Sequence, residues 1–269
     1  MDPITSAGNP LIKRVRALSQ RKYREREGLC FVEGIRAVEE AVASDAPVER
    51  LLYTPDRLRS ERALETIQSL KNKGVEVTPV SGKVFDALSD REEGQGVGAL
   101  VRIPSRALDD IPIGPNTLVL CLVEPRDPGN LGTIIRTADA AGASAVTVVG
   151  TSADPYDPKS IRASMGSLFA LPVVPVSDLD AFISWAKPHS LRCVATSAHA
   201  PHTCFDADLT GPLALVLGPE RGGLDDGALG LCDAAVRIPM QGRASSLNLA
   251  AAAAVLTYEA VRQRTRKKR

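Results

Sequence analysis

Aromatic side chains are scarce, at 4% of 269 residues, so the core must be built mainly from Ala, Val, Leu and Ile. Hydrophobic residues still reach 44%, which supports a real core and excludes a disordered chain. No run approaches the roughly 18 uninterrupted apolar residues that a membrane span needs. The opening MDPITSAGNPLIKRVR lacks the apolar stretch of a signal peptide. A cytoplasmic protein without a membrane partner is expected. Cysteine is sparse too. Five residues (Cys30, Cys121, Cys193, Cys204, Cys232), odd in number and without a CxxC pair, argue against a disulfide framework and a cysteine-rich zinc site. They read as small buried hydrophobes.

Net charge is nearly absent, at +1, but it is unevenly spread. Residues 1–28 hold seven basic side chains (Lys13, Arg14, Arg16, Arg21, Lys22, Arg24, Arg26) against three acidic ones. The last eight residues, RQRTRKKR, hold six basic and no acidic side chains. The body between, 29–261, has 20 basic and 29 acidic residues. Basic ends on an acidic body fit either a polyanion touched at particular places or two solvated tails.

The organisation changes partway along. The first segment combines a basic helical pattern (IKRVRALSQRKYRER), an apolar run and helix (CFVEGIRAVEEAVAS), short strands at ERLLYT and VEVTPV, and the helical ERALETIQSLKNKG. The glycine-rich REEGQGVGALVRIP reads as its end, giving a small α/β domain over 1–105. SRALDDIPIGP reads as a linker at 106–115. From Asn116 to 269, strands at TLVLCLV, SAVTVVG, LRCVATSA, PLALVLG and AAVRIP alternate with helices near 130–141, 159–169, 178–187 and 245–264. Such alternation predicts a parallel sheet covered on both faces.

The two common nucleotide fingerprints are missing. The first strand of this region is followed by PRDPGNLG, which fails the G-x-G-x-x-G pattern, and no G-x-x-x-x-G-K-[ST] occurs. Glycine and proline instead gather at strand ends in LALVLGPERGGL and VRIPMQGRASSLNL, where the crevice of an α/β sheet lies.

NLGTIIRTADAAGA, LVLGPERGGL and IPMQGRASSLNLAAAAAVL resemble, in order and spacing, the three signature motifs of the SpoU (TrmH-type) RNA ribose methyltransferases of the SPOUT superfamily. NPLIKRVRALSQRKYREREGLCFVEGIRAVEEA is similar to the substrate-binding domain that many members carry ahead of the catalytic one. The resemblance implies a trefoil-knotted catalytic domain, S-adenosylmethionine as methyl donor, an RNA substrate and a homodimer with a shared active site. It implies methylation of a ribose 2′-hydroxyl, with 23S-type ribosomal RNA favoured because members with this appended domain are mostly rRNA modifiers. A tRNA 2′-O-methyltransferase and a non-catalytic RNA-binding member of the fold are the alternatives.

Residue by residue, the resemblance makes Arg136 the arginine that acts at the ribose, with Asn130, Glu220, Ser246 and Asn248 around it. Each has an ordinary structural reading beside it. Arg136 could pair with Asp139 at i,i+3, Asn130 could cap the helix it opens, and Ser245 or Ser246 could cap the final helix. Asn248 is harder to explain as structure, since asparagine is a poor interior helix former. For the cofactor the resemblance points to Gly218, Ile238 and Leu247, with Thr196 and Met240 as neighbours at strand ends; core packing is the ordinary reading of Ile238, Met240 and Leu247. A guanidinium is a poor proton acceptor, so Arg136 is expected to bind the adjacent phosphate and stabilise the forming alkoxide. His199, His202 and Cys204 in HAPHTC lack a distal fourth ligand, and no metal is expected.

Overall fold

The computed structural model describes residues 2–58, 61–89 and 94–267. Two compact units divide the chain: residues 1–105 with 156–170, and residues 106–155 with 171–269.

The first unit is built on a four-stranded sheet. Its elements run α1 (Pro10–Ala17), α2 (Arg21–Glu27), β1 (Leu29–Glu33), α3 (Ile35–Ala43), β2 (Val48–Tyr53), α4 (Glu61–Asn72), β3 (Glu76–Pro79), α5 (Gly82–Asp86) and β4 (Val97–Arg102). The strand order is β1-β4-β2-β3, with β4 antiparallel to both its neighbours. The segment expected to close this region is therefore its central strand. Val97 to Val101 are all buried, so they show no alternation of apolar and polar residues and escape a period-two search. Ile12, Val15 and Leu18 pack with Leu29, Leu52, Val84, Phe85 and Leu100.

Much of the basic N-terminus is engaged inside this unit. Arg14 pairs with Glu27 at 2.6 Å and Glu49 at 2.8 Å. Arg24 is 2% exposed; its Nη1 donates to the carbonyls of Leu18 at 2.8 Å and Ser19 at 2.9 Å, and Asp157 lies 3.8 Å away. Arg21 pairs with Glu25, Arg26 with Glu27, and Lys22 lies over the Tyr23 ring. Lys13 and Arg16 alone of the seven pair with no described residue.

The second unit begins earlier than its first strand. Within the expected linker 106–115, Ile111 is buried in the core of this unit while most of its neighbours are exposed. Then come β5 (Leu118–Val123), α6 (Pro128–Ala140) and β6 (Ala145–Val149). The next two helices, α7 (Pro158–Ser164) and α8 (Ser167–Ala170), belong to the first unit, where they pack on β1 and α3. The expected helix at 159–169 is thus two short ones. The second unit resumes with β7 (Val173–Val176), α9 (Leu179–Ala186), β8 (Arg192–Thr196), β9 (His202–Thr203), β10 (Leu213–Leu217), α10 (Asp226–Leu231), β11 (Ala234–Arg237) and α11 (Leu249–Lys267).

Seven parallel strands form one sheet in the order β7-β6-β5-β10-β8-β11-β9. β5, β6 and β10 are apolar and almost wholly buried, as strands covered on both faces must be. β7 went unread in the sequence because it contains Pro175; an edge strand tolerates a proline that an interior one would not. Among the described residues, no helix is long and apolar enough to cross a membrane.

Candidate active site

Parallel strands put like ends together. β5, β10, β8 and β11 are neighbours in register, so Val123, Leu217, Thr196 and Arg237 finish along one edge of the sheet. The loops that leave this edge carry nearly every residue singled out in the sequence.

Asp127 and Pro128 start α6. Asp127 Oδ1 accepts from Asn130 N at 2.7 Å, and Pro128 takes the first helical position, where its missing N–H costs nothing. Asn130 is therefore not the cap; it sits in the first turn with its side-chain amide available. Nδ2 of Asn130 donates to Glu220 Oε1 at 3.2 Å. The backbone N–H groups of Arg126 and Asp127 donate to the same carboxylate at 3.1 and 3.3 Å. On the other side, Asn130 Oδ1 accepts from Asn248 Nδ2 at 3.0 Å. Asn248 Oδ1 in turn accepts from Ala250 N at 2.9 Å and Ala251 N at 3.3 Å, which makes Asn248 the N-cap of α11. Neither Ser245 nor Ser246 holds that place, and the helix starts at Leu249 rather than 245. Three loops are thus joined by one chain of side chains, Glu220–Asn130–Asn248.

Partial desolvation pushes the Glu220 carboxyl up, but hydrogen bonds from its own N–H, from Arg126 N, from the Asn130 amide and from Asp127 N outweigh it. The group is held below the usual carboxylate range. An ionised acid whose oxygens already accept several N–H groups is an organiser, not a proton donor.

Arg136 stands apart. Six residues past Asn130, it lies about 9 Å further along the helix axis and a third of a turn around. It is exposed and makes no hydrogen bond or ion pair with any described residue, so the expected i,i+3 pair with Asp139 does not form. Ser246 is likewise exposed without a described partner. The structure brings Asn130, Glu220 and Asn248 together and leaves Arg136 and Ser246 facing outward.

Among the residues expected to touch a cofactor, Thr196 ends β8, Gly218 follows β10, and Ile238 follows β11 on the same edge. Gly218 is buried, and a Cβ there would lie 2.5 Å from Leu224 N and 2.6 Å from the Gly223 carbonyl carbon. Glycine is required because the loop folds back against its own start. Met240 is 36% exposed and Leu247 40%, so neither is core; both offer apolar surface from the 238–248 loop. Such surface suits the flat adenine of a nucleoside cofactor. Arg237 Nη1 anchors the neighbouring loop, donating to the carbonyls of Ala200 and Pro201, both at 2.5 Å.

Sequence reasoning did not single out Glu124, Arg126 or Asp127, which share an open cleft with Pro219, Glu220 and Arg221. Asp127 was findable from Asp-Pro, a common helix opening; the positive φ of Glu124, +47°, has no sequence signature. HAPHTC does not gather its side chains. Cys204 is fully buried while His199 and His202 are exposed, and the described residues contain no cluster of three such groups able to hold a metal. Burial pushes the Cys193 thiol up to about 12 and Cys232 to about 11, so neither is a poised nucleophile.

Comparison with known proteins matches residues 117–258 to the SpoU rRNA Methylase family and residues 9–99 to the MRM3-like substrate binding domain. A 23S rRNA (uridine(2479)-2′-O)-methyltransferase of Streptomyces viridochromogenes is 40% identical, with 92% of this chain aligned to 87% of that protein. The 23S rRNA (guanosine(2553)-2′-O)-methyltransferase RlmP of Bacillus subtilis is 33% identical, over 96% of this chain and 98% of its own. The crystal structure of the SpoU methyltransferase AviRb from Streptomyces viridochromogenes in complex with AdoMet superposes with a TM-score of 0.88, at 38% identity, covering 95% of this chain and 98% of that one.

Proposed function

Since the chain belongs to the SpoU rRNA Methylase family, we propose that it transfers the methyl group of S-adenosylmethionine to a ribose 2′-hydroxyl of 23S ribosomal RNA. The observation that carries this reading is the Glu220–Asn130–Asn248 chain at the strand-end edge, with Arg136, which pairs with no described residue, further along the helix whose first turn holds Asn130.

When bound, S-adenosylmethionine would supply an electrophilic methyl on a sulfonium; transfer forms a C–O bond to the ribose, breaks C–S to leave the thioether, and releases the 2′-hydroxyl proton to solvent. Gly218, Ile238 and Leu247, with Thr196 and Met240, are the residues that would hold it. Arg136 binds the phosphate beside the target ribose and stabilises negative charge as it grows on the 2′-oxygen. Asn130 and Asn248 fix the start of α6 against α11, and Glu220 holds the loop before α6, so the frame from which Arg136 projects is rigid. Holding the reacting groups in line removes part of the entropic barrier to the transfer.

The first unit serves as the RNA-binding domain and the second as the catalytic one, with the trefoil-knotted path of the SPOUT superfamily. The working form is a homodimer. Val255 (37% exposed) and Tyr258 (50% exposed) give α11 an uncovered apolar face for the partner, whereas Ala253, Leu256 and Ala260 are buried within the subunit. A ribosomal RNA substrate supports a cytoplasmic location for the protein.

The test is incubation with S-adenosylmethionine and unmethylated 23S rRNA, followed by mapping of ribose methylation. One modified ribose, lost with Arg136→Ala, is the expected result. Methylation of tRNA alone would favour the tRNA alternative, and cofactor-independent RNA binding without transfer would favour the non-catalytic one.

A further inference from the structure

We propose that Arg126 and Arg221 clamp a backbone phosphate of the RNA strand that carries the target ribose, and that Glu124 is the positioning residue for Arg126; this rests on the methyltransferase reading above. Both arginines line the cleft that also holds Glu220. Of the three carboxylates in the cleft, Glu124 pairs with Arg126, Asp127 Oδ1 caps α6, and the oxygens of Glu220 accept from Arg126 N, Asp127 N and the Asn130 amide, so the two guanidinium groups are the cations left to meet an incoming ligand. The body of the chain is acidic, and a polyanion approaching it needs local cations.

The arrangement around Arg126 is costly and specific. Glu124 adopts φ +47°, a conformation that side-chain-bearing residues rarely take and keep only where their surroundings enforce it. Its N–H donates to Val149 O at 2.9 Å, and Gly150 leaves it room, since a Cβ at 150 would lie 3.2 Å from Glu124 Cγ. The carboxylate thereby meets Arg126, accepting from Nη2 at 2.5 Å on Oε2. The Arg126 side chain remains 61% exposed, and an ion pair that exposed adds little to stability. What the pair does achieve is orientation. One N–H of Nη2 is spent on Glu124, and the other Nη2 N–H shares an edge with Nε or Nη1 that can face an acceptor with two oxygens, the geometry of a phosphodiester. Arg221 follows Glu220 directly, is exposed, and makes no hydrogen bond or ion pair with any described residue.

The experiment compares wild type, Arg126→Ala, Arg221→Ala, the double variant, Arg126→Lys, Glu124→Gln and Glu124→Gln/Arg126→Ala in the full-length protein. Binding of a 23S rRNA transcript is titrated with salt, single-turnover methylation is followed, and S-adenosylmethionine affinity is measured by calorimetry. Each arginine-to-alanine change is expected to reduce the slope of log K against log salt by roughly 0.7–0.9. Each should also raise the KM for RNA roughly tenfold, the effect of one charge-assisted hydrogen bond, and leave cofactor affinity unchanged. Arg126→Lys should restore the salt slope but not KM. Glu124→Gln should raise KM with the slope intact, and add nothing in the Arg126→Ala background. An unchanged slope and KM in the double arginine variant would overturn the clamp. Additive effects of Glu124→Gln and Arg126→Ala would overturn the positioning by Glu124. The salt slope is read without turnover, so a wild type that binds RNA yet methylates nothing sinks the catalytic reading while the clamp still stands or falls on its own measurement.

Discussion

Asn248 donates its side-chain N–H to Asn130 at 3.0 Å while its side-chain oxygen caps α11, so one amide serves the proposed site and a helix start at once. The two duties use opposite ends of the amide and can be separated. Asn248→Asp keeps the acceptor for Ala250 N and Ala251 N but loses the donor toward Asn130, and sets two acceptors against each other. Methyl transfer should fall at least tenfold with little loss of thermal stability. Asn248→Ala should lose both, with about 1 kcal/mol of stability gone with the cap. Equal melting-temperature losses in the two variants would show that the cap was not the stabilising element.

Glu220 makes a pH prediction. Its carboxyl is held below the usual range, chiefly against desolvation, by backbone N–H groups and the Asn130 amide. A depressed carboxyl contributes stability that is fully present above its ordinary value near 4.5 and is lost as pH falls through the folded value below it. Urea unfolding should therefore show a steeper acid loss below about pH 4.5 in wild type than in Glu220→Gln. Identical acid limbs would remove the carboxylate from the frame of the site.

Arg136 has no described partner in its own chain, so its removal costs no internal contact. Arg136→Ala should leave the melting temperature and S-adenosylmethionine affinity near wild type while reducing turnover by ~10²-fold or more, as expected for a charge contact made in the transition state. Retention of more than a few per cent of turnover would reassign the residue.

The basic N-terminus divides into two kinds of cation. Lys13 and Arg16 pair with no described residue, and their alanine variants should weaken RNA binding and lower its salt slope without loss of stability. Arg24 is buried on the Leu18 and Ser19 carbonyls, so Arg24→Ala should destabilise the fold by a few kcal/mol, leaving acceptors unpaired. Chemical denaturation and a salt titration of RNA binding together distinguish the two.

The two faces of α11 should respond differently. Tyr258→Glu is expected to yield a monomer by light scattering at micromolar concentration with the fold intact. Ala253→Leu, on the buried face, should instead cost about 1–3 kcal/mol through overpacking and leave the association state alone. A dimer that survives Tyr258→Glu would move the interface off this helix.

The α/β character, the strands at 118–123, 145–149, 192–196 and 213–217, and the loops that carry the site follow from local features: apolar runs of strand length punctuated by glycine and proline. The identities of Asn130, Arg136, Glu220, Ser246 and Asn248 were legible because three motifs occur in order, not because any period marked them. Which of these residues touch is decided only in three dimensions. Glu220 is 90 positions from Asn130 and Asn248 is 118 from it, and only the parallel order β5-β10-β8-β11 brings their loops to one edge. The same holds for what the sequence hid. β4 is central because two partners 44–73 residues upstream pair with it, and β7 tolerates its proline because it lies at the sheet's edge. Burial and hydrogen-bond pairing are properties of the surroundings rather than of the segment. For the same reason, seven basic residues that look alike in sequence become five engaged cations and two unpaired ones once carboxylates, carbonyls and an aromatic ring are folded against them.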